Sequence, residues 1–158
     1  MPNQHNVSLS KMRRLLWLMG IIKIPLIGYV KPRLLILDDH QVQVKIKLRR
    51  HTKNHLQSMY FGSLAVGADV AAGIHAFYFA KKTGVHVSFA FKSVNGEFTQ
   101  RAMTDVIFES NDGQVVENAF NRAMETKERI NEPVNVIAYN TMKEEVARFN
   151  LVISIKVK

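Results

Sequence analysis

Residues 62–82 read GSLAVGADVAAGIHAFYFAKK, and this stretch decides the fold. Within its apolar part, Leu64 to Ala80, the strongly polar residues are Asp69 and His75. A helix that is apolar on every side is usually buried inside a protein. Glycine and alanine are frequent here, and a helical glycine costs roughly 1 kcal/mol relative to alanine, so its use indicates close packing. The stretch therefore predicts a buried central helix.

Segments on both sides of this helix alternate apolar and polar residues, as β-strands do. They fall into three pairs, and each pair predicts a hairpin. In the second pair the turn is Asn95-Gly96, the strongest short turn signal in the chain. The predicted strands are residues 34–37, 42–48, 85–91, 99–110, 134–141 and 146–157.

Two further helices are predicted outside the central one. Ser10 is placed to cap a helix from Lys11 to Lys23, which Pro25 ends. An amphipathic helix covers residues 114–129, and Pro133 stops it. Because hairpins pair antiparallel, these elements predict an α+β fold in which an antiparallel sheet of about six strands wraps around the central helix. We expect one domain over residues 1–158, with residues 1–10 loose and an N-terminal helix at residues 11–24.

Composition and charge exclude several classes of protein. The chain has 158 residues, 47% hydrophobic and 22% charged, which excludes wholesale disorder. It contains no cysteine, which excludes a disulfide scaffold and a cysteine nucleophile. Of the net charge of +9, most lies in residues 1–50, which carry 10 basic and 2 acidic side chains. Such a basic region attracts nucleic acid, anionic lipid or the phosphates of a nucleotide-bearing substrate.

Two apolar stretches bear on membrane insertion. Residues 15–29 are interrupted by Lys23 and Pro25, and residues 64–80 contain Asp69 and His75. A membrane span needs roughly 20 apolar residues with few or no charges. No transmembrane segment is therefore expected, and since a signal-peptide cleavage site is also lacking, we expect a cytoplasmic protein.

Asp69 is the candidate chemical group, because a lone carboxylate in an apolar helix is costly. It is either a paired structural residue or a general base or nucleophile. Helical spacing places it on a stripe of small residues that leaves room for a slender substrate. The other members of the stripe are Gly62, Ala65, Ala72 and Gly73. Gly62 lies near the helix start, where free N–H groups and the helix dipole polarise a carbonyl.

The segment Asn54 to Asp69 resembles the active-site segment of hotdog-fold acyl-CoA thioesterases of the phenylacetyl-CoA type. That pattern is Asn, five residues, His-Gly-Gly, six residues, Asp. The spacing is kept here, with Tyr60 in place of the His and Phe61 in place of the first Gly. The rest of the chain more closely resembles an uncharacterised domain-of-unknown-function branch of the same superfamily. It shares the N-terminal helix, Gly62-Ser63-Leu64, Asp69 and the helix before the last strand pair.

The resemblance implies a hotdog fold and an acyl-CoA thioesterase. Asp69 would activate water or attack the thioester, the Gly62 amide would polarise the carbonyl, and Asn54 would orient water or the carboxylate. Residues expected to contact substrate are Tyr60, Phe61, Ser63, Ala65 and Gly73. Coenzyme A would enter only as part of the substrate, with no other cofactor. Since such sites usually cross a dimer interface, a homodimer or dimer of dimers is implied.

Two other functions stay open at this stage. Because Tyr60 and Phe61 replace motif residues, the protein is alternatively a non-catalytic acyl-CoA or lipid-binding hotdog protein. A third hypothesis is binding of a nucleic acid or a membrane surface through the N-terminal charge, although no nucleic-acid partner is expected without an aromatic platform. The first helix either caps its own core or lies against a membrane or acyl chains.

The remaining polar residues carry weaker signals. Lys45, Lys47 and Arg49 share one strand face, which is either a solvated outer surface or an attraction for the phosphates of coenzyme A. The histidines lack the spacing of metal ligands, so no metal site is expected.

Overall fold

The computed structural model describes residues 7–158. Its helices are α1 (Leu9–Leu18), α2 (Pro25–Val30), α3 (Phe61–Thr83) and α4 (Gly113–Thr126), with a π-helical turn at Met19–Lys23 between the first two. Its strands are β1 (Arg33–Leu37), β2 (Val42–Ile46), β3 (Val87–Phe98), β4 (Val106–Ser110), β5 (Ile130–Tyr139) and β6 (Glu145–Val157).

The strands form one antiparallel sheet in the order β1-β2-β4-β5-β6-β3. It curves around α3, which is buried over most of its length, and α4 packs beside α3 against β5 and β6. The predicted α+β architecture, a six-stranded sheet around a central helix, is confirmed.

Close approach between α3 and the sheet explains the small residues of this helix. A Cβ atom on Gly67 would overlap the ring of Phe108 on β4, and one on Gly73 would lie 3.0 Å from the ring of Phe89 on β3. Phe108 is fully buried, so its ring has little room to move away. The glycines therefore set how tightly the sheet wraps around the helix.

The far end of α3 is fixed to the turn between β1 and β2. Lys82 donates two hydrogen bonds of 2.9 Å to the Asp39 carboxylate, and the Tyr78 hydroxyl donates one of 2.8 Å. The Lys82 hydrogen bond, followed by that of Tyr78, holds the pKa of Asp39 below its usual value against the opposing effect of burial. His75 is buried in the core, with Nε2 2.9 Å from the Asp38 carbonyl oxygen.

The second predicted hairpin is wrong. Asn95-Gly96 is not a turn but lies inside β3, which pairs along its length with β6. The predicted partner strand is shorter, and as β4 it lies between β2 and β5. The long β6 offers β3 a continuous partner, and Gly96 is used for space, because a Cβ there would lie 2.9 Å from the Phe149 ring.

Several predicted boundaries also move. The first helix begins at Leu9, where Ser8 rather than Ser10 accepts a hydrogen bond from the Lys11 amide at 3.3 Å. Residues 9 and 10 are therefore helical rather than loose, and residues 1–6 lie outside the described part. Pro25 also begins a new helix, α2. The last helix ends at Thr126 with Lys127 left-handed, and Pro133 lies within β5 opposite Val152.

Helix α3 is long and apolar enough to cross a membrane by length and composition. However, 83% of its most apolar 18 residues are buried inside the protein, as in the core helix of a folded domain. The cytoplasmic location stays a prediction.

Replacing Gly67 by alanine is expected to lower the free energy of unfolding by about 1–3 kcal/mol, because the new methyl group must displace the Phe108 ring. Urea unfolding followed by circular dichroism measures this loss. Combining Gly67→Ala with Phe108→Leu should cost less than the sum of the two single changes, because the smaller side chain makes room. Strictly additive losses would contradict the contact.

Candidate active site

Asp69 lies two turns into α3, half-buried, on the wall of an apolar pocket of about 230 Å³. Leu16, Met19 and Ile27 of the N-terminal helical segment form one side of the pocket. Phe89 and Phe91 of β3 form another side. The N-terminal helices thus cover the side of α3 that carries the carboxyl group.

The carboxyl group of Asp69 is isolated. Within residues 7–158 it makes no hydrogen bond or ion pair, so the paired-aspartate interpretation finds no partner there. Burial alone raises its pKa from 3.8 to about 6. A carboxyl group with this pKa is an effective proton acceptor near neutral pH.

Asn54 lies in the loop that precedes α3 and organises that loop. Its Oδ1 accepts hydrogen bonds from the Leu56 amide at 2.9 Å, the Ser58 amide at 3.2 Å and the Ser58 hydroxyl at 3.1 Å. This is an Asx turn, for which asparagine in a polar loop is the sequence signal. The side-chain oxygen is therefore occupied by the loop itself.

The first turn of α3 has backbone donors without an acceptor inside the helix. Tyr60 caps the helix without a side-chain hydrogen bond, and the Leu64 amide bonds to the Tyr60 carbonyl oxygen at 3.1 Å. The amides of Phe61, Gly62 and Ser63 precede this first helical hydrogen bond and therefore have no acceptor within α3. The rings of Tyr60 and Phe61 are both exposed, with centroids 4.7 Å apart, and a Cβ on Gly62 would overlap the Tyr60 ring.

The predicted site residues form two groups in one chain. Asp69 and Gly73 lie in the apolar pocket. Asn54, Tyr60, Phe61 and Gly62 lie at the loop and the helix start, outside the pocket lining. Gly62 and Asp69 are seven positions apart in the helix, which is about 10 Å along the axis. Ser63 is buried and Ala65 half-buried on α3, and neither lines the pocket.

Sequence reasoning missed most of the pocket wall. Phe77, Phe89 and Phe91 form an aromatic cluster, with the Phe89 ring centroid 5.7 Å from Phe77 and 5.0 Å from Phe91. The alternation of Phe89 and Phe91 in a predicted strand was the available signal. Ile24 and Ile27 were missed because Pro25 was interpreted only as a helix end.

Lys45, Lys47 and Arg49 line one surface groove, although β2 ends at Ile46 and only Lys45 lies on the predicted strand face. Lys45 pairs with Asp105 at 3.4 Å. Lys47 and Arg49 line this groove, of about 260 Å³, together with Lys31 and Arg33. The groove has the charge to receive phosphate groups. Within residues 7–158, no cluster of three or more His, Asp or Glu side chains is placed to hold a metal ion.

Comparison with known proteins identifies the family. The family described as Domain of unknown function (DUF4442) matches residues 12–155, nearly the whole chain. The chain belongs to this family. The domain-of-unknown-function family that the sequence resemblance implied is thereby confirmed. No curated protein matches the chain.

Solved structures share the fold at low sequence identity. A protein from Shewanella oneidensis that is provisionally assigned as a thioesterase has a TM-score of 0.81 at 11% identity, covering 94% of this chain and 99% of that one. A probable thioesterase from Pseudomonas aeruginosa has a TM-score of 0.75 at 17% identity, covering 98% and 99%. A thioesterase from Haemophilus influenzae has a TM-score of 0.66 at 9% identity, covering 98% and 94%. The hotdog fold is thereby confirmed.

Asp69→Asn is expected to stabilise the protein above about pH 6. Because the pKa is raised on folding, ionised Asp69 opposes folding at neutral pH, and this cost is absent below the unfolded pKa of 3.8. The difference between the two pKa values corresponds to roughly 3 kcal/mol as an upper bound. Thermal unfolding at several pH values checks this, with the gain vanishing in acid.

Glu125→Gln makes the same chemical change at an exposed position on α4 and serves as the control. We expect it to leave the pH dependence of stability unchanged. A gain from Asp69→Asn that persists undiminished at acid pH would contradict the buried-carboxyl explanation.

Proposed function

We propose that the protein hydrolyses acyl thioesters, with Asp69 as general base or nucleophile. The observation that carries this proposal is an isolated carboxyl group, its pKa raised to about 6, on the wall of an apolar pocket. An acyl chain fits the apolar lining, and the carboxylate is held next to it without a competing partner. Similarity to structures named as thioesterases supports the same reaction class.

As a general base, Asp69 takes a proton from water while the water oxygen attacks the thioester carbonyl carbon. The C–S bond then breaks, and the sulfur leaves as a thiol with the proton that Asp69 accepted. The acyl group is released as the carboxylic acid. The negative oxygen that develops during attack needs hydrogen-bond donors, and the free amides at the start of α3 are suited to this.

These donors come from a second copy of the chain in this proposal, because Gly62 lies about 10 Å from Asp69 along the same helix. A homodimer is further supported by β3, which is paired on one side only. Val94 and Phe98 lie opposite Leu151 and Ala147, which are buried on the inner face of the sheet. The side chains of Val94 and Phe98 are nevertheless more than half exposed. This part of the inner face of the sheet therefore has no element of residues 7–158 packed over it.

Lys47 and Arg49 supply the electrostatic attraction for the phosphates of coenzyme A, since they lead from β2 towards the Asn54 loop. Asn54 then acts mainly by shaping that loop, because its side-chain oxygen already accepts three hydrogen bonds.

The second candidate function is binding of acyl-CoA or lipid without hydrolysis. The exposed rings of Tyr60 and Phe61 favour it, because they cover the helix start where the resembled pattern has His and Gly. The two functions share the pocket and differ in whether the thioester bond is broken.

Wild-type protein is expected to hydrolyse acyl-CoA, with kcat/KM rising with pH through an apparent pKa of about 6 as Asp69 ionises. Asp69→Asn should lower kcat by about 100-fold or more, since proton transfer by a positioned base contributes that much. Thiol release over a panel of acyl-chain lengths measures this, with Glu125→Gln as the matched control.

Equal activity of Asp69→Asn and wild type would refute the role of Asp69. Saturable acyl-CoA binding by calorimetry without thiol release on any chain length would instead establish the binding function.

Substitutions on β3 test the proposed dimer. Val94→Asp with Phe98→Asp is expected to shift the protein from dimer to monomer in light scattering, because charges are placed on the uncovered inner face. Hydrolysis should fall with it, since the amides of α3 would no longer reach Asp69 of the other copy. Met142→Asp, at an apolar residue in the β5–β6 turn that is also more than half exposed, is the control. A wild type that is monomeric and active would disprove the shared site.

A further inference from the structure

The N-terminal helical segment, Leu9–Val30, carries apolar side chains that the core does not use. Trp17 is 63% exposed, Ile22 70% and Leu26 60%. We call the exposed set the apolar ridge. It consists of Trp17, Leu18, Ile21, Ile22, Leu26 and Tyr29; Ile24 is also exposed, at 40%, but lines the Asp69 pocket and is not counted in the ridge.

The ridge lies on the side of the helices that faces away from the protein. Met12, Leu16 and Ile27 of the same helices are buried against the core. Trp17 and Ile21 are four positions apart in the helical segment, as are Leu18 and Ile22, so these four residues are neighbours. Leu26 and Tyr29 add exposed side chains on α2, and the Tyr29 ring also contacts the His51 ring, with centroids 5.2 Å apart. Contiguous exposed apolar surface of this kind marks an interaction site.

The ridge is held in place by direct contact between helix backbones. A Cβ atom on Gly20 would lie 2.8 Å from the Cα atom of Gly28, and one on Gly28 would overlap the Gly20 carbonyl group. Because no side chain separates the helices at this point, they pack directly against each other and form a preformed unit.

The part of the chain that carries the ridge contains basic residues and no acidic residues. The first acidic residue of the chain is Asp38. The basic residues that come before it are Lys11, Arg13, Arg14, Lys23, Lys31 and Arg33. All six are exposed, and none forms an ion pair within residues 7–158. Arg13, Lys31 and Arg33 line one groove with Trp17 and Ile21, so charge and apolar surface are adjacent.

We infer that the apolar ridge and these basic residues dock the protein on the surface of an anionic lipid bilayer. Aliphatic ridge residues would enter the boundary between headgroups and acyl chains, and basic side chains would contact anionic headgroups. Trp17 and Tyr29 suit the membrane interface, where aromatic rings with a polar edge concentrate.

The charge pattern selects this occupant over two others. A second copy of the chain would bring two basic surfaces together, and they would repel. A nucleic acid would use the charge but leave the isoleucine and leucine side chains in water. An anionic bilayer satisfies both the positive charge and the aliphatic surface.

The test uses Trp17, the only tryptophan of the chain. Vesicles of phosphatidylcholine mixed with phosphatidylglycerol are expected to shift its emission to the blue and to carry the protein in flotation. Vesicles of phosphatidylcholine alone should bind it at least about tenfold more weakly, and added salt should weaken binding to the anionic vesicles.

Two variants separate the contributions. Ile21→Gln/Ile22→Gln/Leu26→Gln removes apolar surface, and Lys11→Gln/Arg14→Gln/Lys23→Gln removes charge. Each should weaken binding to anionic vesicles by about tenfold or more. Met142→Gln/Lys143→Gln, at exposed positions in the β5–β6 turn, should bind like wild type. Circular dichroism confirms that each variant is folded.

Unchanged Trp17 emission with anionic vesicles would overturn the inference, as would full binding by either variant. A change of mass in light scattering when the ridge is altered, or a blue shift with a homopolymeric RNA instead of lipid, would assign the surface to a second copy or to nucleic acid. Hydrolysis of soluble acyl-CoA is measured separately, and since the ridge residues do not line the Asp69 pocket, the two proposals fail independently.

Discussion

The close approach of α3 to the inner face of the sheet is the constraint on which the rest of the structure depends. At Gly67 the helix meets the buried Phe108 ring, and at Gly73 it meets Phe89. Larger residues at these positions would push the strands outward. The same absence of side-chain volume leaves an unfilled pocket next to Asp69, so the packing that permits the fold also creates the candidate site.

The N-terminal helices connect the electrostatics of the site to the protein surface. Their inner side, with Leu16, Met19 and Ile27, shields Asp69 from water, and burial is the cause of its raised pKa. Their outer side carries the apolar ridge. An isolated carboxyl group in such surroundings costs folding free energy, and groups with perturbed pKa values of this kind cluster at functional sites.

The elements that were predictable from the sequence are those whose packing is visible in local periodicity. The all-round apolar α3 and the strict alternation in β2 and β6 depend only on burial of one or all faces. The turn predicted at Asn95-Gly96 is wrong because the local turn preference competes with pairing to a distant strand. The long β6 favours the pairing, so both residues lie within β3. Asp69 was predicted as a site residue because it is a charged residue in an apolar helix. Gly73 was predicted because it is one of the small residues on the same stripe of that helix. The pocket wall formed by Ile24, Ile27 and Phe77 could not be predicted from the sequence, because it forms only where three elements meet in space.

The position of β6 in the sheet governs how the chain acquires its structure during synthesis. β6 is the neighbour of both β5 and β3, and Val87 pairs with Val157, about seventy residues later. Until that last strand is made, β3 has no partner and one side of α3 lacks its cover. Pairing over such sequence separation slows folding and exposes apolar surface meanwhile. The nascent chain is therefore most prone to aggregation in the interval between completion of α3 and release of β6.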